Sequence, residues 1–279
     1  MRLAHAALLA IPVFLGCAEE TKRSSGGGSS AANADLFADQ GDFINIWEDT
    51  TGYEEWASWI QGQGIDQWAG ILNYELKLPA DMKLVTGTCG TIPDLPPDFD
   101  TTNAYWVEPT GVALMCLEFL EELADIAYER YRADYSEDDA ATYALNEAAG
   151  AWHFILLHEI GHGLKDYYDL NWYSEEDVVD TFAAVTLIKA GGSDLLAWAA
   201  YSFMTQSLQG SQNAFADVHS LPRQRSYDLA CLLYGHSPEK YSYLLEDEAL
   251  AERNQKNPCQ AYYAEMDEYL SEDLADWLK

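Results

Sequence analysis

The chain has 279 residues, 47 acidic and 15 basic, for a net charge of -32. At roughly 100 to 200 residues per domain, that length holds one sizeable domain or two small ones, and either can bury a core. The charge excludes nucleic acid and anionic lipid as electrostatic partners, because phosphates are held by lysine and arginine; it fits solubility outside the cytoplasm, with a preference for cationic substrates as the alternative.

The chain opens MRLAHAALLAIPVFLGC, with Arg2 ahead of an apolar run from Leu3 to Leu15 and then Cys17. That run cannot cross the roughly 30 Å hydrocarbon layer, which takes about 20 residues, so residues 1–16 read as a signal peptide. The ending Leu15-Gly16-Cys17 resembles the lipobox of bacterial lipoproteins, with Phe14 where that pattern usually has leucine. The resemblance implies an acylated Cys17 and an exported protein tethered to the bacterial cell envelope, at the outer membrane facing the periplasm or the surface. Ordinary cleavage and free secretion is the alternative. Residues 17–34 contain TKRSSGGGSSAAN, which has nothing to build a core. The segment reads as a flexible tether with a coil span of roughly 20 to 25 Å, leaving residues 35–279 as the folded domain.

DFINIWEDT (42–50) is β-branched and aromatic, and reads as a strand or an extended lead-in. YEEWASWI and IDQWAGILNYEL carry apolar residues at helical spacing, and the second stops at Leu78-Pro79. MKLVTGTC, NAYWVEP and GVALMCLEF read as three strands, the last two joined by a turn containing Pro109 and Gly111. Helical periodicity then runs over 117–132, 138–165, 175–190, 193–208, 223–234, 238–252 and 259–278, broken at Gly191-Gly192 and Gly210. Strands early and helices late make the class α+β. Beyond Cys17 there are four cysteines, none spaced C-x-x-C. Export favours disulfides, and pairing Cys89 with Cys116 and Cys231 with Cys259 closes two local loops.

The chemistry concentrates in LLHEIGHGLKD (156–166). Residues four apart on a helix lie one above the other, so His158 and His162 can offer imidazole nitrogens to one ion, while Glu159 reaches a water bound there. This is H-E-x-x-H, the zinc peptidase signature. The competing reading is two hydrogen-bonded core histidines. The helix around them is mainly apolar, and buried histidine and glutamate need partners or a metal. His153 is rotated off the shared face and reads as structural. A third histidine in the extended metzincin pattern would fall at Tyr168, with Lys165 in place of its glycine, so that pattern fails. Glu176 and Asp180, four apart in YSEEDVVDTFAAV, can supply a ligand and a carboxylate that orients a ligating imidazole. Glu175 and Asp177 are rival ligands, and an acidic first turn that suits the helix dipole is the bland alternative. Asp166, one turn beyond His162, is another carboxylate placed to orient a ligand.

Taken together, Cys89, NAYWVEP, MCLEF, HEIGH, EEDVVD and VHSLPRQRSYDLACLLYG resemble a family of bacterial metallopeptidases, a domain of unknown function among the gluzincin-like zinc peptidases. The resemblance covers roughly residues 40–275. It implies a zincin-like fold, with a small N-terminal sheet and an active-site helix ahead of a mostly helical C-terminal half. It also implies Zn2+ on His158, His162 and Glu176, with Glu159 as general base and a peptide or protein as substrate. His219 is a candidate hydrogen-bond donor to the oxyanion, with Arg225 or Asp217 placing it; a helix-capping or interdomain histidine is the alternative. The loop at 90–102 is longer than the family pattern, and Trp106 and Val107 depart from its strand motif, so substrate preference does not carry over. A zinc-bearing envelope protein that binds a partner without hydrolysing it is the rival function.

Overall fold

A computed structural model describes residues 38–92, 99–172, 174–209 and 222–279. The signal peptide, Cys17 and the whole of the tether, together with Asp217 and His219, lie outside the described residues. Four strands form one sheet: β1 (Phe43–Trp47), β2 (Met82–Gly87), β3 (Ala104–Val107) and β4 (Val112–Cys116), in the order β1-β2-β4-β3. DFINIWEDT is therefore a strand, with Phe43 opposite Met82 and Trp47 opposite Thr86 in parallel pairing. β2 pairs parallel with β4 as well, and its residues are buried except Lys83, as expected of a strand covered on both faces. β3 and β4 are the expected hairpin, antiparallel from Ala104 opposite Met115 to Val107 opposite Val112. Gly111, with φ 69, turns the chain between them, a conformation that glycine adopts without the penalty of a Cβ.

The helices are α1 (Glu54–Gly62), α2 (Gln67–Glu75), α3 (Leu117–Tyr131), α4 (Glu137–Tyr168), α5 (Glu175–Lys189), α6 (Ser193–Gln209), α7 (Pro222–His236), α8 (Glu248–Lys256) and α9 (Cys259–Asp273). The class is α+β, with helices dominating after the sheet. Two helical expectations need correction. The run expected over 238–252 is instead a short 3-10 segment, Ser242–Glu246, followed by α8. Asp247 accepts hydrogen bonds from the backbone of Ala249 at 2.9 Å and Leu250 at 3.0 Å, so its carboxylate starts a new helix in the middle of the apolar periodicity. The last helix ends at Asp273 rather than 278, because Trp277 turns back to stack on Tyr168 at 3.9 Å and Leu278 bridges to Leu76.

Helix α4 is the axis of the molecule. Ser136 caps its start by accepting from the Asp139 backbone at 3.2 Å, and Glu137, Asp138 and Asp139 lie in the first turn, where carboxylates favour the helix dipole. From Glu147 to Gly161 every residue of α4 is buried. A helix apolar on nearly all sides belongs in the core, with neighbours all round it. Two glycines set how close those neighbours come. A Cβ on Gly161 would lie 2.9 Å from Val179 Cβ of α5, and one on Gly163 would lie 2.7 Å from Met82 and 2.8 Å from Trp106 of β3. Alanine at either position would push α5 or the sheet away from the H-E-x-x-H segment.

Disulfides join Cys89 to Cys116 and Cys231 to Cys259, closing separations of 27 and 28 residues. Loops of this size contribute about 2 to 4 kcal/mol each to stability. The first ties the end of β2 to the end of β4, and the second ties α7 to α9. Among the described residues no helix is long and apolar enough to cross a membrane.

Candidate metal centre

His158 and His162 lie one turn apart on α4, and the register of α5 across Gly161 brings the carboxylates of that helix to them. The two Nε2 atoms are 3.2 Å apart. Glu176 Oε2 is 3.4 Å from His158 Nε2, and Glu176 Oε1 is 3.6 Å from His162 Nε2. His158, His162 and Glu176 thus each offer one ligand atom, all within 4.8 Å of one another.

Each imidazole is held from behind. His158 Nδ1 is 2.7 Å from Asp180 Oδ1, and His162 Nδ1 is 2.7 Å from Glu175 Oε1. A carboxylate at Nδ1 fixes that nitrogen as the N–H donor and turns the Nε2 lone pair forward. Three lone-pair donors therefore converge on one point. A tetrahedral ion with metal–nitrogen bonds of 2.0 to 2.1 Å separates two of its nitrogens by roughly 3.3 Å, so the donor set fits a cation of that kind.

The backing of His158 extends further than sequence spacing indicates. Asp180 takes a two-pronged contact from Arg225 of α7, Nε to Oδ2 at 2.7 Å and Nη2 to Oδ1 at 2.6 Å. The guanidinium also lies 4.7 Å from the centre of the Phe203 ring. His158, Asp180 and Arg225 are all buried. Burial raises the Asp180 carboxyl, but the Arg225 charge and the His158 hydrogen bond outweigh it and hold Asp180 below its usual range. Burial likewise works against a charged His158, while Asp180 and Glu176 more than offset it and lift the imidazole to about 9. A metal ion at His158 Nε2 therefore has to displace a proton, because only the neutral imidazole ligates.

The backing of His162 is more open. Glu175 pairs with Lys165 at 2.9 Å, and both are partly exposed. Burial raises Glu175, but Lys165 and His162 outweigh it and leave its carboxyl below the usual range.

The rivalry between Glu175 and Glu176 thus has a geometric answer: Glu176 faces both Nε2 atoms and Glu175 stands behind one ring. Asp177 hydrogen-bonds with Ser174 at 2.5 Å at the start of α5. Asp166 does not orient a histidine, contrary to expectation. Its Oδ2 accepts from Trp106 Nε1 at 2.6 Å, and Glu175 occupies the place behind His162. Arg225, a candidate for placing His219, meets the Asp180 carboxylate with its guanidinium; His219 itself lies outside the described residues. His153 is structural, as expected: its Nδ1 accepts from Trp68 Nε1 at 2.8 Å, and complete burial lowers it to about 4, so it stays neutral. Glu159 follows His158 directly and is 3% exposed. Tyr105 of β3 lies within its electrostatic reach: burial raises the Tyr105 hydroxyl, and the charges of Asp100 and Glu159 add to that.

No curated protein and no solved structure matches the chain. Residues 50–272, a span that contains α4, α5 and α7, match the family described as "Putative metallopeptidase", and the chain belongs to that family.

Proposed function

We propose that this chain is a zinc-dependent peptidase of gluzincin type, acting at the bacterial cell envelope. The observation that carries the reading is the convergence of His158 Nε2, His162 Nε2 and a Glu176 oxygen, with both Nδ1 atoms turned onto carboxylates. Two imidazoles and one carboxylate are the protein donor set of a catalytic zinc, whose fourth position is kept for water. Such an ion supplies a more acidic water and polarises the scissile carbonyl.

The rest of the work falls to the chain. Asp180 and Glu175 keep the two imidazoles aimed and in the ligating tautomer. Glu159 accepts the proton of the attacking water on its carboxylate and delivers it to the departing amine nitrogen. His219 donates a hydrogen bond to the oxygen of the carbonyl under attack. A peptide substrate also suits β3, which lies at the sheet edge beside α4 with Trp106 against Gly163. Among the described residues no strand pairs with its outer side, so its backbone groups suit an extended chain laid alongside. The envelope location rests on the N-terminal sequence, and intact mass of membrane-extracted protein tests it: a mature N-terminus without added acyl mass at Cys17 removes the anchor.

Zinc-loaded protein incubated with a diverse peptide library tests the activity. One zinc per chain with cleavage is the expected result. One zinc per chain with every peptide intact would favour the partner-binding alternative, and a chain that binds no metal would end both readings.

The ligand assignment has its own test in two variants. Glu176→Ala is expected to abolish tight zinc binding, whereas Glu175→Ala keeps one ion per chain with affinity lowered about 10- to 100-fold, as for loss of an outer partner. Chelator competition followed by metal analysis distinguishes them. The reverse order of effects would exchange the two glutamates.

A further inference from the structure

Well away from the metal centre, five aromatic side chains form one face where the end of α3, the start of α4 and α6 meet. Tyr131 lies 5.4 Å from Tyr143 and stacks on Tyr201 at 6.1 Å; Tyr135 lies 5.0 Å from Tyr143, and Trp198 lies 6.3 Å from Tyr143. Tyr135 is 50% exposed and Tyr201 36%, so these two rings reach solvent, while Tyr143 and Trp198 are half-buried and Tyr131 is buried beneath them.

The face is also rigid. The Tyr131 hydroxyl donates to Glu147 Oε2 at 3.0 Å, and Arg130 pairs with the same carboxylate while donating to Thr205 at 2.7 Å. The Arg130 guanidinium sits 4.8 Å from the centre of the Tyr131 ring and 5.3 Å from that of Tyr201. The tyrosines thus already hold one cation from the inner side. In the chain on either side of Tyr135, Asp134, Glu137, Asp138 and Asp139 are exposed, as is Arg132, whose charge is paired with Glu129 at 2.7 Å. Asp139 precedes Tyr143 by four residues on α4, which puts the two on the same helical face.

We propose that this face docks a lysine- or arginine-bearing segment of another polypeptide, its cations seated on Tyr135 and Tyr143 within the carboxylate rim. Ring faces attract ammonium and guanidinium groups, and fixed aromatic side chains lose little entropy on binding. The rim repels nucleic acid and anionic lipid, and a second copy of a chain with net charge -32 is repelled as well. Tyr143 and His158 are fifteen residues apart on α4, about 22 Å at 1.5 Å per residue, so the face is separate from the metal centre. The proposal stands whether or not the chain hydrolyses peptides.

A decapeptide of alternating D-lysine and glycine is a suitable probe, because its D residues resist cleavage. Its affinity for the full chain is measured by calorimetry at about 0.15 M salt, where the screening length is roughly 8 Å. Replacing both Tyr135→Leu and Tyr143→Leu keeps net charge and apolar bulk but removes the ring faces. Binding is expected to weaken about 5- to 30-fold, from two exposed cation–π contacts, while Tyr135→Phe with Tyr143→Phe retains it. The single variant Tyr135→Leu, at a half-exposed position, should show part of the loss with an unchanged melting temperature. Equal affinity for wild type and the leucine pair would mean attraction by net charge alone and overturn the proposal. So would equal binding of a D-serine and glycine peptide or of a neutral oligosaccharide.

Discussion

Glu159→Gln is expected to lower turnover by about 10² to 10⁴ fold, the usual contribution of a positioned general base, while leaving one zinc per chain. The substitution changes the charge and almost nothing else. Glutamine has the same length as glutamate, and its amide cannot accept the water proton. Glu159 is 3% exposed, so the variant also exchanges a buried charge for a neutral group and should fold at least as well. The three atoms that converge on the metal position belong to His158, His162 and Glu176, and none of them is touched. The effect should therefore fall on kcat, with KM little altered, because proton transfer belongs to the transition state rather than to substrate binding. Metal analysis and hydrolysis of the same peptide pool are measured on wild type and variant together. Equal hydrolysis would remove Glu159 from the mechanism, and loss of zinc would show that the carboxylate holds the site together rather than the proton.

Much of this site is legible in the sequence because helices convert spacing into direction. His158 and His162 are four apart, as are Glu176 and Asp180, and each pair must share a face wherever its helix goes. Glu175 is harder to place. It lies about 100° around α5 from Glu176, and whether it meets the front or the back of an imidazole depends on the side on which α5 crosses α4. That side is set by the fit of Val179 against Gly161, a contact between helices that spacing does not encode. Asp166 misled for the same reason: one turn from His162 is close along the helix, but its carboxylate reaches Trp106 of the sheet. The strands were readable from β-branched and aromatic runs, and the hairpin from Pro109 and Gly111. The insertion of β4 between β2 and β3 is a matter of long-range pairing and left no local mark. Local chemistry failed once in the other direction, at Asp247, where a capping carboxylate interrupts an apolar pattern that otherwise reads as continuous helix.

Arg225→Met is expected to destabilise the metal-free chain by about 3 to 5 kcal/mol, the cost of leaving a buried carboxylate without its partner. Sequence spacing gives no sign of this residue's link to Asp180, since 45 residues separate the two. In the structure its guanidinium meets both Asp180 oxygens, and Asp180 in turn aims His158. Methionine keeps apolar contact with Phe154 and Phe203, whose rings lie near the guanidinium, so the variant isolates the charge rather than opening a cavity. Zinc affinity should fall as well, by about 10- to 100-fold, because the carboxylate that orients His158 loses its own anchor. A second variant separates the two effects. Combining Arg225→Met with Asp180→Asn removes both charges, and most of the lost stability should return, because the unpaired buried ion is gone. Zinc affinity should not return with it, since a neutral amide is a poorer acceptor for the imidazole N–H than an ionised carboxylate. Urea denaturation and chelator competition on the wild type, both single variants and the double variant complete the cycle. A loss below about 1 kcal/mol for Arg225→Met would place the pair among interactions that contribute little, as exposed salt bridges do. Recovery of zinc affinity in the double variant would show that Asp180 acts on His158 by shape alone and not by charge.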